Sequence, residues 1–259
     1  MATTALVPNV KPIYYPESDG EPIAETGIHV HAIMCFYGWL YAIFHKTSDI
    51  WVAANMFMYY KKGDPKRRKA PDVMVVKGVE NRFRRVFKIW EEKAVPAVIF
   101  EFTSKGTIDE DTVVKSSLYA SLGIKEYFLF DPEADYLDQQ FIGYRLHEGE
   151  YEKIEADQDG VIHSQELDLR LKPVGKLLRV FNPLTGDLMP EFEDINDYAT
   201  AAVQRAEQES QRAEQESQRA EQESQRAEQE AQRANHAEEE LQKALAQLEE
   251  LKRQSQKPQ

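Results

Sequence analysis

Residues 96–132 constrain the fold most. PAVIFEFTS (Pro96–Ser104) and EYFLFDP (Glu126–Pro132) are short apolar runs rich in β-branched and aromatic residues, and they predict two buried strands, the second ended by Asp131-Pro132 with no chemistry of its own. Between them a helical pattern runs from about Asp109 to Leu122. Gly106, Thr107 and Asp109 supply turn and capping chemistry before it, and Gly123 suits its C-terminal stop. Val113, Val114, Ser117, Leu118 and Leu122 are expected on its core side. Strand, helix, strand in that order predicts a βαβ unit, because a parallel pair needs a crossover and an antiparallel pair does not. Glu101 is the exception in the first run, since a carboxylate in VIFEF is costly to bury without a partner.

The flanking segments fit the same architecture. A helix is predicted from Pro22 or Ile23 to Phe44, with Pro22 suited to a first turn. Val30, Ile33, Met34, Tyr37, Leu40, Tyr41 and Phe44 recur at helical spacing and would form its apolar face. IWVAANMFMYY (Ile50–Tyr60) is β-rich, with Asn55 in mid-strand, and PDVMVVKG (Pro71–Gly78) reads as a short buried strand opened by Asp72. FIGYRLH, YEKIEA, GVIHS, LDLRL and KLLRVFN are further short strands that would extend the sheet or form a small β cap. The proline-rich residues 1–21 predict an extended arm, and residues 22–190 the globular domain.

After Asp197 the composition changes. QRAEQES at Gln204–Ser210 repeats unchanged at Gln211–Ser217 and Gln218–Ser224, which predicts a helix over 198–255, alone or in a coiled coil. With Leu241 and Leu248 at one seam position, that position is Ala in the preceding heptads and its partner position is mostly Ser. Such a seam buries little apolar surface until its last turns, so the repeat permits self-association without demanding it.

Charge and cysteine narrow the function classes. The chain of 259 residues carries a net charge of −13, unlike the basic footprint of most nucleic-acid binders. Yet residues 61–88 hold 11 basic residues against Asp64, Asp72 and Glu80. Lys66, Arg67, Arg68, Lys69, Arg82, Arg84 and Arg85 are therefore the candidates for contact with a phosphate backbone, since screening makes local charge matter more than the total. The single cysteine, Cys35, forbids an intrachain disulfide and is expected buried. No basic region followed by an apolar run opens the sequence, and the apolar stretch Ile28–Phe44 contains His29, His31 and Gly38. A cytoplasmic setting without membrane insertion is expected. No phosphate-cradling glycine motif, nucleophile elbow or zinc-ligand spacing occurs.

The remaining chemistry lies in carboxylates. Asp72 opens one apolar strand and Glu101 interrupts another, so if the strands are neighbours the two can converge on one Mg²⁺ or Mn²⁺ ion. A lysine nearby could orient water or stabilise transition-state charge. Glu25 and His29, four apart near the start of the first helix, could add a ligand or a base.

PDVMVVKG, PAVIFEFTSKGT, Asp111-x-x-x-Lys115 and LYASLGIKEYFLFDP, in that order, resemble the Uma-two family of the PD-(D/E)XK nuclease superfamily over roughly residues 15–180. The resemblance implies an α/β fold: a restriction-endonuclease-like core whose mixed central sheet is flanked by helices, here with the long C-terminal helix or coiled coil added. It also implies divalent-metal DNA cleavage in a bacterial setting. Asp72 matches the aspartate of P-D, Glu101 the strand glutamate and Lys115 the helix lysine. The superfamily's strand lysine, two residues after the acid, is replaced by Thr103. Lys115 is the first candidate for its role, and Lys105 the second if the strand continues that far. The reading is a Mg²⁺-dependent endodeoxyribonuclease with Asp72, Glu101 and Lys115 as catalytic residues, and a possible homo-oligomer through the C-terminal helix. Its rivals are a catalytically silent DNA-binding module and a coiled-coil assembly protein.

Overall fold

The structure, a computed structural model, describes residues 13–18, 20, 25–191, 194, 197, 199–201, 203–224, 226, 233 and 243. The chain divides into two compact units, Met1–Phe192 and Glu193–Gln259.

The first unit is built on a mixed six-stranded sheet. In chain order its elements are α1 (Gly27–Phe44), β1 (Ile50–Ala54), β2 (Met58–Tyr59), β3 (Arg68–Lys69), β4 (Val73–Lys77), β5 (Phe87–Lys88), α2 (Ile89–Glu92) and β6 (Val98–Phe102). A π-helical turn, Glu110–Lys115, then leads directly into α3 (Ser116–Leu122). After it come β7 (Glu126–Phe130), β8 (Phe141–His147), β9 (Glu150–Ile154), β10 (Ile162–Ser164), β11 (Leu169–Val174) and β12 (Leu177–Val180). The large sheet has the order β1-β4-β6-β7-β8-β9; β10-β11-β12 and β3-β2-β5 form two smaller ones. β6 and β7 are parallel, as the βαβ reading requires, with Glu101 opposite Leu129, while β4 lies antiparallel to β6 with Val73 opposite Phe100. The late strands take both expected roles: β8 and β9 extend the sheet, and β10–β12 stand apart from it.

Strand alternation divides the core in two. Val52, Val73, Val75, Val98, Phe100, Phe102 and Phe128 face α1 and the β10–β12 sheet. Ile99, Tyr127, Leu129, Met74 and Val76 face Tyr119 of α3 and Met58 and Phe87 of the small sheet. Phe100 stacks on Phe128 at 4.8 Å, and Gly143 on the next strand makes room: a Cβ there would stand 2.7 Å from the Phe128 ring.

Several expectations are corrected. α1 begins at Gly27, capped by the Thr26 hydroxyl, which accepts from the His29 N–H at 3.3 Å. Pro22 and Ile23, the proposed start, lie outside the described residues. Its buried side is His29, Ala32, Ile33, Cys35, Phe36, Trp39, Leu40 and Phe44, while Val30, Met34 and Tyr41 are exposed. Because the helix is apolar nearly all round, spacing alone does not select the face that meets the sheet. In length and composition α1 would also suit a membrane span; here it is the core helix over the sheet. Cys35 is buried in it, as expected. Asn55 is exposed at a left-handed kink (φ 47°), which ends β1 and separates it from β2. The helix after β6 turns Val113 and Val114 to solvent and buries Asp111, Lys115 and Tyr119 instead.

Of the arm, Tyr15 packs edge-on against Tyr59 at 5.0 Å and Glu17 pairs with Arg85; residues 1–12 lie outside the described residues. In the second unit residues 204–224, the exact repeats, are helical and exposed. Leu241, Leu245 and Leu248, where the seam becomes leucine-rich, lie outside the described residues.

Candidate active site

Adjacent strands bring the two sequence-selected carboxylates together. Asp72 precedes β4 and reaches across to β6, where its Oδ2 accepts from the Phe102 N–H at 2.7 Å. Glu101 reaches back, and its Oε2 accepts from the Asp72 N–H at 3.3 Å. Glu101 is fully buried, and the helix after β6 supplies its other partners. Lys115 Nζ stands 3.0 Å from Glu101 Oε2 and 2.8 Å from Asp111 Oδ1, and the Tyr119 hydroxyl donates to Glu101 Oε1 at 2.9 Å. Asp111, Lys115 and Tyr119 are spaced by four, so one helix face delivers all three to the strand acid. The π turn spans Asp111 to Lys115, and its backbone is tied down where the Tyr127 hydroxyl donates to the Asp111 carbonyl at 2.9 Å. Local π winding often marks functional sites, because it re-aims side chains within an otherwise regular helix.

Burial and mutual charge set the electrostatics of this arrangement. Burial pushes the Glu101 carboxyl up to about 8; the negative charges of Asp72 and Asp111 add to the rise, and Lys115 opposes it. Burial raises Asp72 to about 6, against the opposing pull of the Phe102 N–H and Lys115. Burial also works to lower Lys115, but Glu101 and Asp111 outweigh it and hold the ammonium charged. Three carboxylates therefore share one ammonium in a poorly solvated place. That donor set fits a divalent cation, which would remove the charge surplus. Among the described residues no three His, Cys, Asp or Glu side chains form a ready ligand cage. Two carboxylates suffice for Mg²⁺, which keeps positions for water and phosphate oxygens.

The additional candidates take different places. His29 is buried beside the cluster's entrance, its Nε2 3.9 Å from Glu25 Oε2. Both border a small cavity of about 90 Å³ that also touches Asp72 and Asn55. Glu25 precedes the Thr26 cap, so the pair spans the helix start and does not lie along one helical face. β6 ends at Phe102, and Lys105 lies exposed in the turn beyond, so strand parity with Glu101 does not place it. Thr103, two residues after Glu101, is buried, and its hydroxyl has no hydrogen-bond partner among the described residues.

The basic segment is largely neutralised within the fold. Lys69 pairs with Glu110 at 2.6 Å, Arg84 with Glu92 at 2.8 Å, Arg82 with Glu92 at 3.2 Å and Arg67 with Asp64 at 3.8 Å. Arg85 is taken by Glu17, and Arg68 lies over the Phe57 ring at 4.5 Å. Lys61, Lys62 and Lys66 are exposed. Asp111 and Tyr119 are the site residues that residue-by-residue reading missed; their spacing of four on either side of Lys115 is the signal that could have found them.

The family described as "Uma2: Putative restriction endonuclease" matches residues 9–173, more than half of the chain. The chain belongs to this family. The match includes every residue of the Uma2 cluster described above. One solved structure similar to this Uma2 chain is "a putative nuclease belonging to DUF820 from Anabaena variabilis ATCC 29413". It is 16% identical over 56% of this chain and 75% of that one, with a TM-score of 0.43. No curated protein matches.

Proposed function

We propose that this Uma2 protein is a divalent-metal-dependent DNA endonuclease. The observation that carries the reading is the meeting of Asp72 and Glu101 at one buried place with a single ammonium, Lys115, against three carboxylates. Asp72 and Glu101 would hold Mg²⁺ or Mn²⁺. When bound, such an ion activates a water and neutralises charge on the phosphate. Lys115 keeps Glu101 and Asp111 oriented and places a positive charge where phosphoryl charge develops. Tyr119 fixes the Glu101 rotamer by donating to the oxygen that Lys115 leaves. Asp111 is a positioning residue that acts through Lys115. Exposed lysines of the basic segment would meet the DNA backbone, and the C-terminal helix would support self-association in a cytoplasmic protein.

Nicking of supercoiled plasmid tests the reading. The wild type should nick with Mg²⁺ and not with EDTA, and Glu101→Gln should abolish nicking while keeping the wild-type circular dichroism spectrum. Full activity in Glu101→Gln, or nicking in EDTA, would overturn the assignment.

A further inference from the structure

The outward side of α1 takes no part in the cluster, yet it carries exposed apolar and aromatic side chains. Val30, Met34, Tyr37 and Tyr41 follow one another at helical spacing on its outer side, with Met34 58% exposed. At 1.5 Å per residue this stripe is about 16 Å long. Its first residues border the small cavity that touches Asp72 and Asn55. Its last residues, Tyr37 and Tyr41, border a larger cavity of about 410 Å³ between α1, strand β1 and the Asn81–Arg84 loop. β1 is an edge strand and runs the same course: Asn55 just past its end borders the first cavity, and Trp51–Ala54 border the second. The two cavities thus border the same helix and the same edge strand, and the first also touches Asp72.

The far cavity is aromatic and carries no acid. Phe83 stands at its rim, 92% exposed, within the run Arg82-Phe83-Arg84-Arg85. The loop around it is anchored on both sides. The Asn81 side chain donates to the His45 and Thr47 carbonyls at 3.3 and 3.4 Å, and Arg84 is clamped by Glu92 at 2.8 and 3.0 Å while lying 4.3 Å over Trp51. Among the described residues nothing covers Phe83, so its ring is free to meet a ligand. Across the cavity the Tyr41 ring stacks on His45 at 5.5 Å, so it too is held in place. No Asp or Glu among the described residues lines this cavity; of the cations that do, the Arg84 side chain is buried and spent on Glu92, while Arg82, paired with Glu80 and Glu92, stands half exposed beside His45. Exposed aromatic rings beside a cation are the chemistry that binds unpaired bases: every base offers a π-face, and Arg82, half exposed at the rim, suits the backbone.

We infer that the trough from Asp72 to Phe83 receives a single-stranded stretch of nucleic acid, with Phe83 and Tyr41 as stacking platforms for unpaired bases beside the cut. This deepens the nuclease reading and rests on it for the identity of the strand. The substrate class it names is single-stranded or locally opened DNA rather than an intact duplex, whose bases could not reach the platforms.

Fluorescence anisotropy of the full-length protein in EDTA tests it. The probes are a labelled mixed-sequence single strand and an oligomer of equal length made only of abasic units, which keeps the phosphates and removes the π-faces. The base-bearing strand should bind roughly tenfold more tightly than the abasic one, the order expected for one or two stacked bases. Phe83→Ala and Tyr41→Ala, both at exposed positions outside the cluster, should each erase most of that preference and leave abasic binding unchanged. Equal affinity of the wild type for the two strands, absence of binding to both, or variants that keep the preference would overturn the inference. Variants that lower the sedimenting mass and keep the preference would give the trough to a second copy of the chain instead. Cleavage without base preference removes this inference and leaves the nuclease reading; base preference without cleavage does the reverse.

Discussion

Asp72 and Glu101 are joined by reciprocal contacts across two antiparallel strands: the Asp72 N–H donates to Glu101 Oε2 at 3.3 Å, and Asp72 Oδ2 accepts from the amide next to Glu101 at 2.7 Å. The strand pairing holds both carboxylates in place, so an ion bound between them would demand little reorganisation.

That preorganisation has a pH signature. Burial raises the folded carboxyls, Asp72 to about 6 and Glu101 to about 8, so the metal-free fold holds protons that the unfolded chain releases near pH 4. Stability from these groups is fully present below their unfolded values and is lost as pH rises through the folded ones. Thermal unfolding in EDTA should therefore show Tm falling between pH 5 and pH 8, and Glu101→Gln should flatten the fall. Magnesium should raise Tm more at pH 8 than at pH 6, because at the lower pH it competes with protons. A Tm that rises across this range in EDTA would contradict the assigned burial.

Removing the ammonium should be costly. Lys115→Met leaves Glu101 and Asp111 facing each other without a counter-charge, and breaking a buried pair in this way costs about 3 kcal/mol. Urea unfolding at pH 8 should show that loss, and the loss should shrink at pH 5, where Glu101 takes up a proton. An unchanged urea midpoint at pH 8 would mean that the ion pairs contribute nothing.

Tyr119→Phe removes one hydrogen bond to Glu101 Oε1 and no volume from the core. A buried carboxylate oxygen left without its donor costs about 1–3 kcal/mol. The expected phenotype is a retained fold and a reduced nicking rate at saturating DNA, with KM little changed, since the hydroxyl touches Glu101 and not the substrate. A raised KM with an unchanged rate would place Tyr119 in binding.

Gly143→Ala probes the sheet behind the site. A Cβ 2.7 Å from the Phe128 ring must displace the Phe100–Phe128 stack, and overpacking of this kind costs about 1–3 kcal/mol. A variant as stable as the wild type by urea midpoint would show that the ring moves freely.

Much of this site was legible before the fold was known. Glu101 stands out because an acid in VIFEF conflicts with its apolar neighbours, and such conflicts between local pattern and residue type tend to mark function. Asp72 at the mouth of a second apolar run completed the pair. The helix after β6 was harder. Its valines look like its core face by hydrophobicity, yet Val113 and Val114 are exposed while Asp111, Lys115 and Tyr119 go inward. The inward face meets the buried glutamate with an ammonium and a hydroxyl, and those contacts exist only once β6 stands beside the helix. The basic segment shows the same limit: its charges are plain in the sequence, but their partners Glu17, Glu92 and Glu110 are assigned by the fold.

The sequence by itself determined the strand–helix–strand order, the parallel pair, the identity of the two strand acids and the helical repeat, because periodicity and composition act over neighbouring residues. Tertiary structure alone decided which side of α1 is buried, which helix face meets Glu101, which arginines are spent on internal acids, and that Phe83 is left standing in the open. Those outcomes depend on contacts between residues distant in the chain, where burial, charge pairing and packing compete at one place and the strongest sets the orientation.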